Sequence, residues 1–139
     1  MKASSATIFL GLMFLANTTP ACDLVDVATA ETVLASEVQD MTVDPATFCS
    51  FISTTTSANF SVRVDPADMY DIMTIQQPHT PVDVGDRGRY HEFERGGAAV
   101  QFAKGSRSVT LAVTPGGDRE TDFLPALLAA AKSIADKLD

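Results

Sequence analysis

The chain has 139 residues, of which 45% are hydrophobic and 20% charged, and its net charge at pH 7 is −8. Such an excess of carboxylates is repelled by phosphate backbones, which argues against nucleic acid as a partner. Residues 22–86 hold 11 Asp and Glu against Arg63 alone, a net charge of −10, whereas residues 87–139 hold 7 against 8 Lys and Arg, a net charge of +1. The acidic half either faces a basic partner or keeps the protein soluble.

Residues 1–21 have the pattern of a secretory signal peptide. Lys2 supplies the positive start, residues 8–16 form a short apolar run, and Thr19-Pro20-Ala21 offers small residues for cleavage. The apolar run is shorter than the roughly 20 residues that a membrane-spanning helix needs. We therefore expect export, with secreted or periplasmic localisation and cleavage after either Ala21 or Ala16. The remaining residues 22–139 are enough for a single α+β domain.

The chain has two cysteines, Cys22 and Cys49. In an exported protein, such a pair predicts a disulfide, which would contribute roughly 3 kcal/mol by restricting the unfolded chain. Cleavage after Ala21 would also place Cys22 where bacterial lipoproteins carry their lipid. Because Thr19 stands where those proteins usually have Leu, we expect the disulfide rather than a lipid anchor.

The N-terminal half predicts a helix followed by a pair of strands. Asp26 is a good N-cap for a helix that extends to about Ser36, and residues 37–44 form either a short edge strand or a loop. Strands are predicted over Phe48–Ser53 and Asn59–Val64 from their alternating pattern. The side chains on their expected buried face are Cys49, Phe51, Phe60, Val62 and Val64.

A second helix is predicted from Asp65, with Pro66 at its first position, to about Gln77. Its expected buried residues are Met69, Ile72, Met73 and Ile75. The carboxylates of Asp65, Asp68 and Asp71 drift around such a helix and lack the glycine of a calcium loop, so we interpret them as capping and solvating groups.

The C-terminal half predicts three strands and a helix. Arg87–Phe93 is followed by a hairpin within Gly97–Thr114, which turns at Lys104-Gly105-Ser106, and an apolar stripe marks a helix from Thr121 or Asp122 to Leu138. The fold class is therefore α+β, with an antiparallel sheet of about five strands, two or three helices packed mainly on one face, and the order αββαβββα. The second face of the hairpin is small and flat, and it either meets a partner or lies under the protein's own helices. Its residues are Ala99, Gln101, Ala103, Thr110, Ala112 and Thr114.

No motif for catalysis stands out. The chain lacks a Gly-x-Ser-x-Gly elbow, and its paired glycines are not followed by a helix that would cradle phosphate. His91 shares a strand face with Arg89 and Phe93 rather than with a carboxylate, and His79 lies in a proline-rich loop. We therefore assign no catalytic, cofactor-binding or metal-binding residues and expect no cofactor.

Four short motifs resemble those of one protein family. They are Ala21-Cys22-Asp23-Leu24-Val25 before a helix, Cys49-Ser50-Phe51 opening a strand, Val84-Gly85-Asp86-Arg87 before a hairpin, and the Lys104-Gly105 hairpin with its Ala-rich helix. The family consists of small bacterial cell-envelope proteins, many of them lipoproteins, classed as a domain of unknown function. The resemblance spans residues 21–138 and implies an α+β fold, a Cys22–Cys49 disulfide and no transferable catalytic residues. Val25 and Val84 stand where the family has Leu, and its upstream lipid-bearing Cys is missing, which favours a form without an anchor.

Two classes of function follow from these observations. The first is a non-enzymatic binding or interaction module of the cell envelope, which presents a sheet face or its acidic edge to an envelope protein or a small ligand. The second is a small secreted hydrolase or metal-dependent enzyme that uses His91, His79 or both with carboxylates. A pocket with His91 beside a carboxylate would favour the enzyme, and a shallow surface would favour the binding module.

Overall fold

The computed structural model describes residues 19–72 and 78–138. The predicted leader up to Thr18 lies outside them, as do Met73 and Ile75 of the predicted second helix. A 3₁₀ turn (Ala21–Asp23) precedes three helices, α1 (Val27–Leu34), α2 (Met69–Ile72) and α3 (Leu124–Lys137). The strands are β1 (Val38–Asp40), β2 (Phe48–Ser53), β3 (Asn59–Pro66), β4 (Thr80–Pro81), β5 (Arg87–Glu92), β6 (Ala98–Lys104) and β7 (Arg107–Thr114).

The strands of the described residues form one antiparallel sheet in the order β1-β2-β3-β7-β6-β5-β4. Strands β1 to β3 form one meander and β4 to β7 form another. The two meanders join through β3 and β7, which pair over the full length of both strands, from Asn59 opposite Thr114 to Pro66 opposite Arg107. The α+β class and the antiparallel sheet are confirmed.

One face of the sheet carries the hydrophobic core. The alternation of β2, β3, β6 and β7 places their apolar residues on this face, where α1 and α3 pack through Val33, Leu34, Leu127 and Ile134. Ala131 on α3 is fully buried, and its small side chain allows the helix to approach closely. The sheet residues in this core are Cys49, Phe51, Phe60, Val62, Val64, Ala98, Val100, Phe102, Val109, Leu111 and Val113. Their burial confirms the predicted strand faces.

Two short edge strands account for the difference between five predicted strands and the seven that form. β1 lies in the segment for which the sequence allowed an edge strand or a loop, and Val38 pairs with Ser53. β4 lies in the proline-rich crossing, where Thr80 pairs with Tyr90. Both are too short to show a period in the sequence, because a period needs several residues.

The predicted start of the second helix is wrong. Asp65 and Pro66 extend β3, opposite Ser108 and Arg107, and α2 begins only at Met69. The ladder with β7 continues through a sequence that has good local capping residues, because strand pairing and burial outweigh a cap worth about 1 kcal/mol. Tyr70 is the buried residue of α2, whereas Ile72 is 70% exposed.

The predicted disulfide between Cys22 and Cys49 is present. It joins the 3₁₀ turn to β2, with 5.2 Å between the two Cα atoms and a sequence separation of 27 residues. Cys49 is buried in the core and Cys22 packs against it. The disulfide therefore fixes the N-terminal turn to the sheet.

Removing the disulfide should destabilise the protein. A loop of this length predicts a loss of about 3 kcal/mol for the double substitution Cys22→Ser and Cys49→Ser, because the unfolded chain regains its freedom. Urea unfolding of the oxidised protein and of the variant measures the difference. A reducing agent should lower the oxidised protein to the level of the variant and leave the variant unchanged. Equal stability of the two proteins would contradict this expectation.

The N-cap of α1 should make stability depend on pH. Hydrogen bonds from Thr29, including one of 2.8 Å from its N–H to Oδ1 of Asp26, lower the pKa of Asp26 below its ordinary value of 3.8. A depressed folded-state pKa gives stability that is present above the unfolded pKa and lost as the pH falls through the folded one. We expect Asp26→Ala to cost about 1 kcal/mol at pH 7 and less at about pH 3. Urea unfolding at both pH values tests this, with Asp26→Asn as the control that keeps an acceptor, and an equal deficit at both would refute it.

Candidate functional site

The fold places the two histidines in adjacent segments. His91 lies on β5, and its Nδ1 hydrogen-bonds to the carbonyl oxygen of Pro78, the residue before His79. The His91 ring packs against Phe93, with 5.5 Å between the ring centroids. Nδ1 of His79 is buried without a hydrogen-bond partner among the described residues. An enzyme that uses both histidines needs the fold to bring them close together. The hydrogen bond from His91 to Pro78 shows that the two segments are in contact.

His91 borders an open depression of about 780 Å³. The lining includes the carboxylates of Glu92 and Glu94, which is the kind of pocket that favours the enzyme. Nδ1 of His91 hydrogen-bonds to the Pro78 carbonyl rather than to either carboxylate, and a backbone carbonyl can also orient a histidine ring. Across residues 19–72 and 78–138, no group of three or more His, Cys, Asp or Glu side chains is placed to hold a metal ion.

A cationic cluster covers part of the second face of the sheet. The guanidinium carbon of Arg89 lies 4.1 Å from the ring centroid of Tyr70, and that of Arg87 lies 4.5 Å from it. Arg89 donates from Nε and Nη2 to Oε1 of Gln101, at 3.0 and 2.5 Å, and from Nη2 to the Tyr70 carbonyl at 2.6 Å. Arg87 also pairs with Asp71 at 3.1 Å, where both side chains are largely exposed.

This cluster decides between the two interpretations of the flat hairpin face. Ala99, Gln101 and Ala103 are buried, so the β6 half of the face lies under the protein's own residues rather than facing a partner. The β7 half is more open, since Thr110 and Ala112 are half-buried and Thr114 is exposed. The two arginines project from β5 and hold α2 against this face of the sheet through Tyr70. Because Arg89 already donates to Gln101 and to the Tyr70 carbonyl, it is poorly suited to bind a ligand.

The motif before the hairpin has a structural role. The Asp86 carboxylate accepts from the N–H of Gly105 at 2.9 Å, and the N–H of Asp86 donates to the Ala103 carbonyl at 2.8 Å. Gly85 has φ +64°, and a Cβ there would lie 2.7 Å from the Ala103 oxygen. Nζ of Lys104 donates to the Ala135 carbonyl on α3 at 2.6 Å. The Gly-Asp and Lys-Gly motifs therefore fix the hairpin turn to its neighbours.

Exposed apolar residues gather at the opposite end of the sheet, beside β1. Val43 is 95% exposed, Met41 49% and Phe48 40%. Acidic and amide side chains surround them, and the whole set is named here the β1 edge surface. It comprises Glu37, Gln39, Asp40, Met41, Val43, Asp44 and Phe48.

The loop that carries this surface is held firmly. The Met41 N–H donates to the Ser50 carbonyl at 2.8 Å, and the N–H groups of Ala21 and Cys22 donate to the carbonyls of Ala46 and Pro45 at 2.9 and 3.1 Å. Oγ1 of Thr42 accepts from the Ser50 N–H at 3.0 Å and lies within 3.7 Å of both sulfur atoms of the disulfide. The disulfide and these hydrogen bonds hold the residues on both sides of Val43 in place.

The backbone of β1 presents free hydrogen-bonding groups at this edge. The Glu37 carbonyl accepts from the N–H of Thr54, directly after β2, and the Met41 N–H donates to the carbonyl of Ser50 in β2. The alternation of an antiparallel pair therefore turns the N–H and C=O groups of Val38 and Asp40 away from β2. The opposite edge strand, β4, contains Pro81, which has no N–H to donate. β1 is therefore the edge better suited to accept another strand.

The segment that carries β1 is acidic. Residues 19–62 contain six Asp and Glu and no Lys or Arg, and Arg63, the β3 partner of Phe48, is ion-paired with Asp65. The sequence showed this excess and the weak alternation of Val38, Met41 and Val43, but it did not show that these residues share one surface. That juxtaposition depends on the pairing of β1 with β2.

Comparison with models of known protein families, with curated proteins and with solved structures gave no match. No helix in the described part of the chain has both the length and the apolar character to cross a membrane. The inference of function therefore rests on the residues and their geometry.

Gln101 should be essential to the second face of the sheet. It is only 1% exposed, and Gln101→Leu would remove the acceptor of two Arg89 hydrogen bonds and leave the half-buried guanidinium with the Tyr70 carbonyl. We expect a loss of about 1–3 kcal/mol in the free energy of unfolding, measured with urea. The matched change Gln39→Leu, at an exposed position on β1, should stay within about 0.5 kcal/mol of the wild type. Equal effects of the two substitutions would show that the cluster contributes nothing.

Proposed function

We propose that this protein is an exported, non-enzymatic binding module of the bacterial cell envelope. The leader pattern of residues 1–21 and the resemblance to a family of small envelope proteins support export and compartment. The Cys22–Cys49 disulfide is consistent with an oxidising environment such as the periplasm or the cell exterior. The charged groups of the described residues that are hydrogen-bonded to the fold, such as Arg89 and Asp86, support a structural rather than a catalytic use.

The β1 edge surface is the binding site in this proposal. The observation that carries it is Val43, which is 95% exposed on a loop that the disulfide and Thr42 hold in place. A single exposed apolar side chain needs no explanation, but here three exposed apolar residues, Met41, Val43 and Phe48, follow one another within eight residues from the end of the edge strand β1 to the start of β2. Such a surface fits an extended polypeptide that adds to β1 and covers Val43, Met41 and Phe48.

The charge of the surface specifies the partner. Glu37, Asp40 and Asp44 are exposed around the apolar residues, so a segment that alternates basic and apolar side chains is complementary. A second copy of this chain is disfavoured, because antiparallel pairing of β1 with itself would bring two sets of carboxylates together. The partner we propose is therefore a different, basic protein of the envelope.

The alternative is a small secreted hydrolase or metal-dependent enzyme. Two observations favour it. The buried Nδ1 of His79, which has no partner among the described residues, lies in the segment that contacts His91, and the depression beside His91 is also lined by Glu92 and Glu94. The described residues provide no third ligand and no carboxylate hydrogen-bonded to His91, so this function ranks second. Turnover of an ester, phosphate or peptide substrate that is lost in His91→Ala would reverse the ranking.

Binding can be tested with two synthetic peptides of matched length. A peptide that alternates Lys and Val should bind the oxidised protein, and one that alternates Glu and Val should not, because only the first complements the carboxylates. Val43→Ser should weaken binding about tenfold, as expected from one buried Val, while Val27→Ser on the half-exposed start of α1 should not change it. Isothermal titration calorimetry measures the affinities.

The mode of binding has its own readout. Strand addition protects the outward amides of Val38 and Asp40 from hydrogen exchange, so these two should slow on adding the Lys-Val peptide. The same two variants can be used to capture the partner from an envelope extract. Val43→Ser should fail to retain the partner that the wild type binds, and Val27→Ser should retain it. Equal binding of both peptides, equal effects of both substitutions, or protection confined to other strands would refute the proposal.

A further inference from the structure

Thr19, Pro20 and Ala21, the residues that the leader pattern offers for cleavage, are packed as part of the folded domain. Ala21 is 0% exposed and belongs to the hydrophobic core, and Thr19 and Pro20 are half-buried. A leader that is removed has no reason to fill a core position. The burial of Ala21 therefore bears directly on where the mature chain begins.

The backbone of this segment is hydrogen-bonded to the rest of the fold. The Ala21 N–H donates to the Ala46 carbonyl at 2.9 Å, in the loop of the β1 edge surface. The Pro20 and Ala21 carbonyls each accept at 3.1 Å, from the N–H groups of Asp23 and Leu24. These bonds build the 3₁₀ turn that positions Cys22 for its disulfide.

A side chain from β7, the central strand of the sheet, also holds the segment. Nη2 of Arg107, at the start of β7, donates to the Thr19 carbonyl at 2.9 Å. The two residues are 88 positions apart in sequence, so this is a tertiary contact rather than local turn geometry. A charged donor to a backbone carbonyl makes one of the stronger hydrogen bonds in a protein.

Cleavage after Ala21 would undo this arrangement. It would remove the buried Ala21 side chain, the acceptors for Asp23, Leu24 and Arg107, and the donor to Ala46. The new N-terminus would be an ammonium group on Cys22, in place of an amide that bonds to the Pro45 carbonyl at 3.1 Å. Buried backbone groups left without partners each cost free energy comparable to a lost hydrogen bond.

We infer that the leader is removed on the N-terminal side of Thr19, at the small residue Ala16 in preference to Ala21, and that Thr19–Ala21 remain in the mature protein. The inference rests on the export proposed above. In chemical terms, a signal peptidase hydrolyses one peptide bond, and water supplies the hydroxyl of the new carboxyl group and a proton to the new amino group. Cys22 then stays an internal residue, consistent with its disulfide and not with a lipid at the N-terminus.

The intact mass of the exported protein tests the inference. The full chain is produced in a bacterial host that exports proteins to an oxidising compartment, and the soluble exported fraction is measured by mass spectrometry. A chain that begins at residue 17, 18 or 19 supports the inference. A chain that begins at Pro20 or later, above all at Cys22, overturns it.

Two Leu substitutions sharpen the test. Leu is a poor residue at the cleaved position, so Ala21→Leu blocks processing if the cut follows Ala21, and Ala16→Leu blocks it if the cut follows Ala16. We expect Ala21→Leu to be processed like the wild type and to retain the added mass of Leu, and Ala16→Leu to accumulate as precursor. Accumulation of the Ala21→Leu precursor would overturn the inference.

Stability gives a readout that does not depend on export. Because Ala21 is buried, Ala21→Leu overpacks the core and should lower the melting temperature of the oxidised protein by roughly 5 °C. Ala28→Leu, at an exposed position on α1, is the matched control and should leave it unchanged. If the chain is not exported at all, the export proposal fails by itself, and this comparison still decides whether Ala21 belongs to the folded domain. Equal melting temperatures for the two variants would show that it does not.

Discussion

The pairing of β3 with β7 is the constraint on which the rest of the structure depends. Each strand ends one of the two meanders, so this ladder alone makes them a single sheet. It also aligns Phe60, Val62 and Val64 with Val113, Leu111 and Val109 on one face. That continuous apolar face gives α1 and α3 a surface on which to pack. Because the paired residues lie about 50 positions apart, the order of the sheet follows from long-range contacts.

The sequence predicts the centre of this fold better than its edges. Residues 98–114 and the stripe of α3 repeat their apolar residues often enough to define a period, and both predictions are confirmed. Asp65-Pro66 is a good local signal for a helix start, but the two residues complete the ladder opposite Ser108 and Arg107. A local capping pattern carries no information about the competing strand partner, which lies 41 to 43 residues further along the chain. The edge strands β1 and β4 leave no period at all, and their partners define them.

The sequence predicts less of the candidate site than of the fold, because the site also depends on contacts between strands. The sequence indicated an acidic half and a disulfide, and the disulfide is present. It did not indicate that Val43, Met41 and Phe48 would all be exposed, because Phe48 belongs to β2, in which Cys49 and Phe51 are buried. Gln101 gave a weak signal, as the single amide among the small residues of β6, and its partner Arg89 belongs to another strand. Sequence spacing does not show which residues of neighbouring strands lie next to each other.

Both proposals depend on the region around the disulfide. Cys22 and Cys49 connect the N-terminal turn to β2, and the loop of the β1 edge surface is hydrogen-bonded to Ala21, Cys22 and Ser50. Retaining Ala21 therefore does more than fill a core position, since its N–H holds Ala46 in the same loop that exposes Val43. A partner that adds to β1 would meet a surface already ordered, so little conformational entropy would be lost on binding. In these two proposals, one hydrogen-bonded loop connects the N-terminus of the mature chain to the edge that binds the partner.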